Sequence, residues 1–298
     1  CKIFFVNEWQ HAFLFLNLIF VFLSLLIFIK NLLIIKVRPI LISLSLPMIV
    51  ISVDILTWPR FILSDMIYAF LVILSTYFVT KTIVKNKINY FEILLIIFLL
   101  LASRPSSIPV IFVVVFFIAV LRFKIFLKQK NILLFIFVIF ISIPFLLSLA
   151  YYFIESNFNG IAKVDFLTNM VKEGIIVHDR PNTWVEKPDN FTDVIFIYFL
   201  RLINFFNPYA STYSKVHIAL NMIQIVLVLS SISVWSFFGN HIKTYNKIFL
   251  FIILLSFSVS AFHSFILIDY DWRYRFPIIL PLLMLFSISL EIIKKKSD

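Results

Sequence analysis

Long apolar runs, each interrupted by a few charged or turn-forming residues, set the pattern of this chain. Many approach 20 residues without alternating with polar positions. That is the mark of helices that cross a bilayer, whereas membrane β-strands alternate in polarity. Nine spans are predicted, at about 11–29, 39–53, 61–80, 88–103, 106–122, 131–153, 214–239, 247–268 and 274–293. A tenth segment, 191–206, is apolar but short for a span, and is assigned to an interfacial or re-entrant helix. Before it lies the chain's long polar stretch, an outer loop at 154–190. The expected fold is an all-α polytopic membrane protein of about nine transmembrane helices, with residues 1–298 forming a single transmembrane domain.

Composition strengthens the membrane assignment. The chain is 62% hydrophobic and 14% charged, with a mean hydropathy of +1.06; a soluble domain of this size could not cover its surface with so little polar material. Only three glycines occur, which argues against a rocking transporter, since such proteins use small residues for close helix packing and Gly or Pro breaks. Cys1 is the sole cysteine. An intrachain disulfide, a cysteine-based zinc site and an iron–sulfur cluster are therefore excluded. The chain opens on CKIFFVNEWQ, without an initiator Met or a signal-peptide pattern, and reads as a fragment lacking upstream sequence.

Charge orients the spans. One set of loops, with Lys36, Arg38, Lys85, Lys87, Lys243 and Lys294–Lys296 among its bases, has fifteen Lys and Arg against three acids. The other set is nearly neutral. The basic side is assigned to the cytoplasm, which puts the fragment's N-terminus outside and its C-terminus inside an inner (cell) membrane. The net charge of +11 thus expresses topology and gives no ground for a nucleic-acid partner.

The unusual polar residues gather on the outer side. SVDILTWPRFILSDMIYAF (52–70) carries Arg60 in a loop and Asp65 about a turn into the next span. Acids inside spans are costly and mostly functional, so Asp65 is the candidate catalytic carboxylate, with pairing to Arg60 as the plain alternative. LASRPSSIP (101–109) places Arg104 in a tight turn, where it either snorkels or meets a lipid phosphate through the forked geometry that Lys lacks. In the 154–190 loop, His178 beside Asp179 is a candidate acid–base pair, with ordinary loop surface as the plain alternative. No HExxH, GxSxG or glycine-rich phosphate loop is present; soluble-type hydrolase and NTPase readings have no support. RLINFFNPYASTYSK (201–215) reads as an interfacial turn with Arg201 and belt aromatics. Finally, DYDWRYRFP (269–277) pairs Asp269 with Arg273 and Asp271 with Arg275 at helical spacing. Asp269, Asp271 and Arg273 balance a charged collar, and Arg275 heads into the span.

Taken in order, WPRFILSDMIYAFLVILSTYFV, LLLASRPSSIPVIFVVVFF and RYRFPIILPLLMLFS, with HAFLFLNLIFVFLSLLIFIK before them, resemble the GT-C superfamily of polytopic glycosyltransferases, in particular its bacterial protein O-mannosyltransferase and lipid A aminoarabinose transferase branch. The likeness covers most of the chain. It implies a polyprenyl-phosphate sugar as donor at the outer face, an acceptor of unspecified identity, a carboxylate that deprotonates the acceptor hydroxyl, and arginines that hold the lipid phosphate. Asp65 matches the family's acid early in its helix. Arg104 and Arg275 are the foremost phosphate candidates, with Arg60 and Arg273 beside them. The family's main catalytic Asp precedes the part this chain covers, and so would the region of any divalent metal; no metal ligand is assigned here and the cofactor is left open. The competing expectation is a transporter or flippase of lipid-linked sugars, which would place charges near the bilayer midplane.

Overall fold

The computed structural model describes residues 9–52, 55, 59, 65–122, 191–209, 214–238, 242–265 and 272–297. Among these there are nine α-helices and no strand: α1 (Trp9–Ile34), α2 (Pro39–Val50), α3 (Asp65–Lys85), α4 (Tyr90–Ser103), α5 (Ile108–Arg122), α6 (Phe191–Phe205), α7 (Lys215–Phe238), α8 (Lys243–Phe265) and α9 (Phe276–Ser297). Short 3₁₀ turns at Pro105–Ser107 and Trp272–Arg275 lead into α5 and α9. The span predicted at 131–153, the 154–190 loop, Arg60, His178, Asp179, Asp269 and Asp271 lie outside the described residues.

Five helices, α1, α3, α7, α8 and α9, are long and apolar enough to cross a membrane. The segments predicted at 39–53, 88–103 and 106–122 form α2, α4 and α5, of 12, 14 and 15 residues. These are shorter than the roughly 20 residues that a perpendicular crossing takes. Local sequence explains most of their limits. Pro39 occupies the first turn of α2, where its missing N–H costs nothing. Arg104 precedes Pro105 and is extended (φ −170°, ψ 154°), so α4 stops at Ser103. At the end of α1, Lys36 adopts φ 66°. Its N–H donates to Leu33 O, and the N–H of Val37 donates to Leu32 O, at 2.9 and 3.0 Å. This is a Schellman closure with lysine where glycine is usual. Asn86 (φ 50°) serves the turn after α3, a position that Asn tolerates better than most residues.

By its contacts the chain divides into two compact units. The first comprises Cys1–Ile125, Tyr213–Val259 and Arg275–Asp298. Within it α3 packs on α1, α4, α5 and α9, and α9 packs also on α1, α2 and α7. Cross-helix contacts fix the directions. Phe20 meets Phe70 at 5.4 Å between ring centroids, and Ser289 Oγ donates to Ser231 O at 3.2 Å. Pro109 O accepts from Ser258 Oγ, and Phe117 meets Phe251 edge-on, so α5 and α8 are antiparallel. The long helices α3, α8 and α9 are mostly buried, whereas few residues of α1 and α7 are. Exposed Phe15, Leu18, Phe22, Phe98, Leu229 and Phe237 form an apolar exterior that water would not tolerate and lipid would.

Many hydroxyls inside the bundle return to their own helices. Ser24, Thr76, Thr82, Ser231 and Ser289 donate to carbonyls four residues back, as a dry interior demands. At the basic end, Glu291 on α9 is 1% exposed. Its Oε2 accepts the Arg38 N–H at 3.0 Å, and its Oε1 lies 3.6 Å from Arg38 Nε and 3.8 Å from Lys295 Nζ. Lys81 pairs with Glu92 across the α3–α4 hairpin.

The second unit comprises Phe126–Thr212 and Ser260–Tyr274. The segment expected at 191–206 as an interfacial or re-entrant helix is α6, of 15 residues. Tyr198, Arg201 and Phe205 form its buried face, while Phe196 and Ile203 are exposed.

Candidate functional site

Asp65 is the first residue of α3, where the helix's positive end favours a carboxylate. It is also buried, and a buried charge needs a partner. That partner is Arg104, 39 residues on, whose Nη1 forms an ion pair with Asp65 Oδ1. The sequence reading set Asp65 against Arg60 as the plain pairing. Among the described residues it joins the arginine of the RP turn; Arg60 lies outside them.

The turn is built to hold that arginine. Ser107 N–H donates to Arg104 O at 3.1 Å, and Ser107 Oγ lies 2.7 Å from both Arg104 O and Leu100 O. Tyr68, one turn beyond Asp65, donates its hydroxyl to Ser106 O at 3.0 Å. The Arg104 guanidinium lies 5.5 Å from the centroid of the Tyr68 ring, within cation–π range. Three contacts thus clamp the α4–α5 turn onto the first turn of α3. Tyr68 was not anticipated from sequence, although its place three residues after Asp65 puts both on one helix face.

Arg275 ends the 3₁₀ turn before α9 and is 6% exposed. The starts of α3 and α9 lie side by side: Met66 and Ala69 share a small cavity with Phe276, Pro277 and Leu280, and with Val21 and Ser24 of α1. Asp65 and Arg275 immediately precede Met66 and Phe276, so both open their helices at the same end of the first unit. Arg273 lies in the same short turn. Arg104 keeps 21% of its side chain exposed against 6% for Asp65. Among the described residues its Nε and Nη2 make no hydrogen bond. The arrangement therefore offers a nearly dry carboxylate, an arginine with donors still available, and a second, buried arginine on the adjoining helix. No group of three His, Cys, Asp or Glu side chains among the described residues could hold a metal.

The second unit has a separate buried cluster. Arg201, 0% exposed, donates from Nη1 to Ser264 O at 3.3 Å. That carbonyl lies in the last turn of α8, where helical partners run out and a cation is favourable. His263 stacks on Tyr274 at 4.3 Å and on Phe205 at 6.3 Å. Burial pushes the Tyr198 hydroxyl up to about 12. From sequence Arg201 belongs to an interfacial turn, whereas the structure buries it fully, together with His263.

Fold and site together define a multi-pass membrane protein, without strands among the described residues, with a paired acid and arginine at one end of its first unit. No family model matches the chain, and neither a curated protein nor a solved structure matches it. The likeness to the GT-C enzymes rests on the sequence segments alone.

Proposed function

We propose that the protein is a membrane glycosyltransferase that moves a sugar from a polyprenyl-phosphate donor to an acceptor at the extracytoplasmic face of the cell membrane. On this reading about nine spans cross the bilayer and residues 154–190 form an outer loop. The fragment's N-terminus is then outside and its C-terminus cytoplasmic. The observation that carries the reading is the grouping of Asp65, Arg104 and Arg275 at one end of the first unit, opposite the lysine-rich end. A polyprenyl phosphate leaves its anion at the membrane surface. Arginines there would neutralise the departing phosphate in a partly dry site, and a carboxylate would take the acceptor's proton.

The distribution of charge favours this over a transporter. In the five long apolar helices, each charged side chain among the described residues lies within two turns of a helix end. A midplane binding site would place some of them deeper. The test is transfer of radiolabelled sugar from a polyprenyl-phosphate donor by the full-length protein in proteoliposomes. Asp65→Asn and Arg275→Ala should each reduce turnover by at least about 100-fold, the scale of losing an acid–base or oxyanion-type group. Transfer that survives both substitutions would rule out this site.

A further inference from the structure

Asp65 and Arg104 are each other's counter-ion. The candidate base is thus held by a counter-ion, one carboxylate oxygen against one guanidinium nitrogen. The pairing is lopsided, however. Arg104 gives Asp65 only Nη1, keeps Nε and Nη2 without hydrogen bonds among the described residues, and is the more exposed partner. A phosphodiester has two non-bridging oxygens, which suit the guanidinium fork better than a single carboxylate oxygen does.

Resting on the glycosyltransferase reading, we propose that the phosphate of the lipid-linked donor displaces Asp65 from Arg104, so that the base is freed only when the donor is in place. The acceptor oxygen then attacks the sugar's C1. The bond from C1 to the phosphate oxygen breaks with its electron pair going to phosphate, and the acceptor proton passes to Asp65. The leaving phosphate gains a second negative charge in this step, so the hold of Arg104 on it strengthens as the reaction proceeds. Tyr68 is the positioning residue. Its bond to Ser106 O and its ring beside the guanidinium keep the turn seated while the head of Arg104 changes partner.

The exchange makes an uncommon demand on binding: removing the acid should improve it. Farnesyl monophosphate is the probe, with farnesol as the uncharged control, titrated against the full-length protein in nanodiscs. Asp65→Asn, which keeps the side chain's shape, should tighten farnesyl monophosphate about fivefold or more, a typical coupling between competing partners. Arg104→Lys should weaken it. In the unmutated protein, adding farnesyl monophosphate but not farnesol should change the carboxylate band in the infrared difference spectrum. That readout holds even if the Asn variant does not fold. If the wild type binds the phosphate over the alcohol while Asp65→Asn binds no more tightly, or the carboxylate band does not change, the exchange is refuted and the glycosyltransferase reading stands. If the wild type does not prefer the phosphate to the alcohol, both fall.

Discussion

Glu291 offers the sharpest test of the packing, because its carboxylate serves a helix other than its own. Arg38 is the N-cap of α2 but makes no capping bond with its side chain, and Pro39 has no N–H to offer. The Arg38 N–H is answered by Glu291 Oε2, reaching across from α9 at 3.0 Å. Replacing Glu291 with Ala removes a charge-assisted hydrogen bond worth about 1.5–3 kcal/mol. It also removes an anion at a helix N-terminus, worth about 0.3–1 kcal/mol. The ion pairs to Arg38 and Lys295 add little, about 0–1 kcal/mol, since both cations are over a third exposed. The expected loss is roughly 2–5 kcal/mol, which at about 2–4 °C per kcal/mol lowers the melting temperature by roughly 4–20 °C. Glu291→Gln keeps an acceptor of the same length and loses only the charge, so it should fall about half as far, the share of the bond that charge supplies. Thermal unfolding in detergent, followed by tryptophan fluorescence, measures both. A Glu291→Ala variant melting within about 2 °C of the wild type would show that α2 needs no cap from α9. A Gln variant as unstable as Ala would show that charge and not geometry is the whole effect. On the glycosyltransferase reading proposed above, sugar transfer at low temperature should be unaffected in either variant, because Glu291 sits at the opposite end of α9 from Arg275.

Other expectations follow from the same contacts. Lys36→Gly should stabilise the protein by about 1 kcal/mol, because glycine takes the left-handed turn after α1 without the strain lysine bears; an unchanged or lower melting temperature counts against it. Tyr68→Phe keeps the ring but loses the bond to Ser106 O; about 1 kcal/mol of stability should go, and on the proposed glycosyltransferase reading apparent donor affinity should weaken more than turnover. An equal loss in both would assign Tyr68 to chemistry. Tyr198 holds its proton up to about pH 12 when folded, against about 10 for an ordinary tyrosine. Between these values the unfolded chain has given up a proton that the folded chain keeps, so stability falls as pH rises from about 10 to about 12. Tyr198→Phe should flatten that part of the melting-temperature profile, and a profile identical to wild type refutes the assignment.

How much of this was legible in the sequence depends on the kind of feature. Helix limits marked by covalent chemistry came through: Pro39 opens α2, and Arg104-Pro105 closes α4. So did the placement of lysines toward the ends of α3 and α9, where the dry interior sends them. What did not come through is which face of each helix points inward. In a soluble bundle an apolar stripe marks the buried face. Here the membrane-crossing parts of α1 and α9 are both apolar all round, yet few residues of α1 and most of α9 are buried, because lipid and protein core reward the same side chains. Without that stripe the rotation of a helix is hidden, and with it every contact between helices. Asp65 was recognisable as an acid in an apolar setting, but its partner Arg104 depended on how α3 faces the α4–α5 turn. Glu291 looked like one acid among many bases, and only the approach of α2 to α9 makes it a cap. The sequence reading found Asp65, Arg104 and Arg275 by their cost in an apolar chain, and missed Tyr68 because a tyrosine near a membrane surface is cheap. A residue that is inexpensive where it stands leaves no trace in composition or hydropathy, so its role has to be read from what it touches.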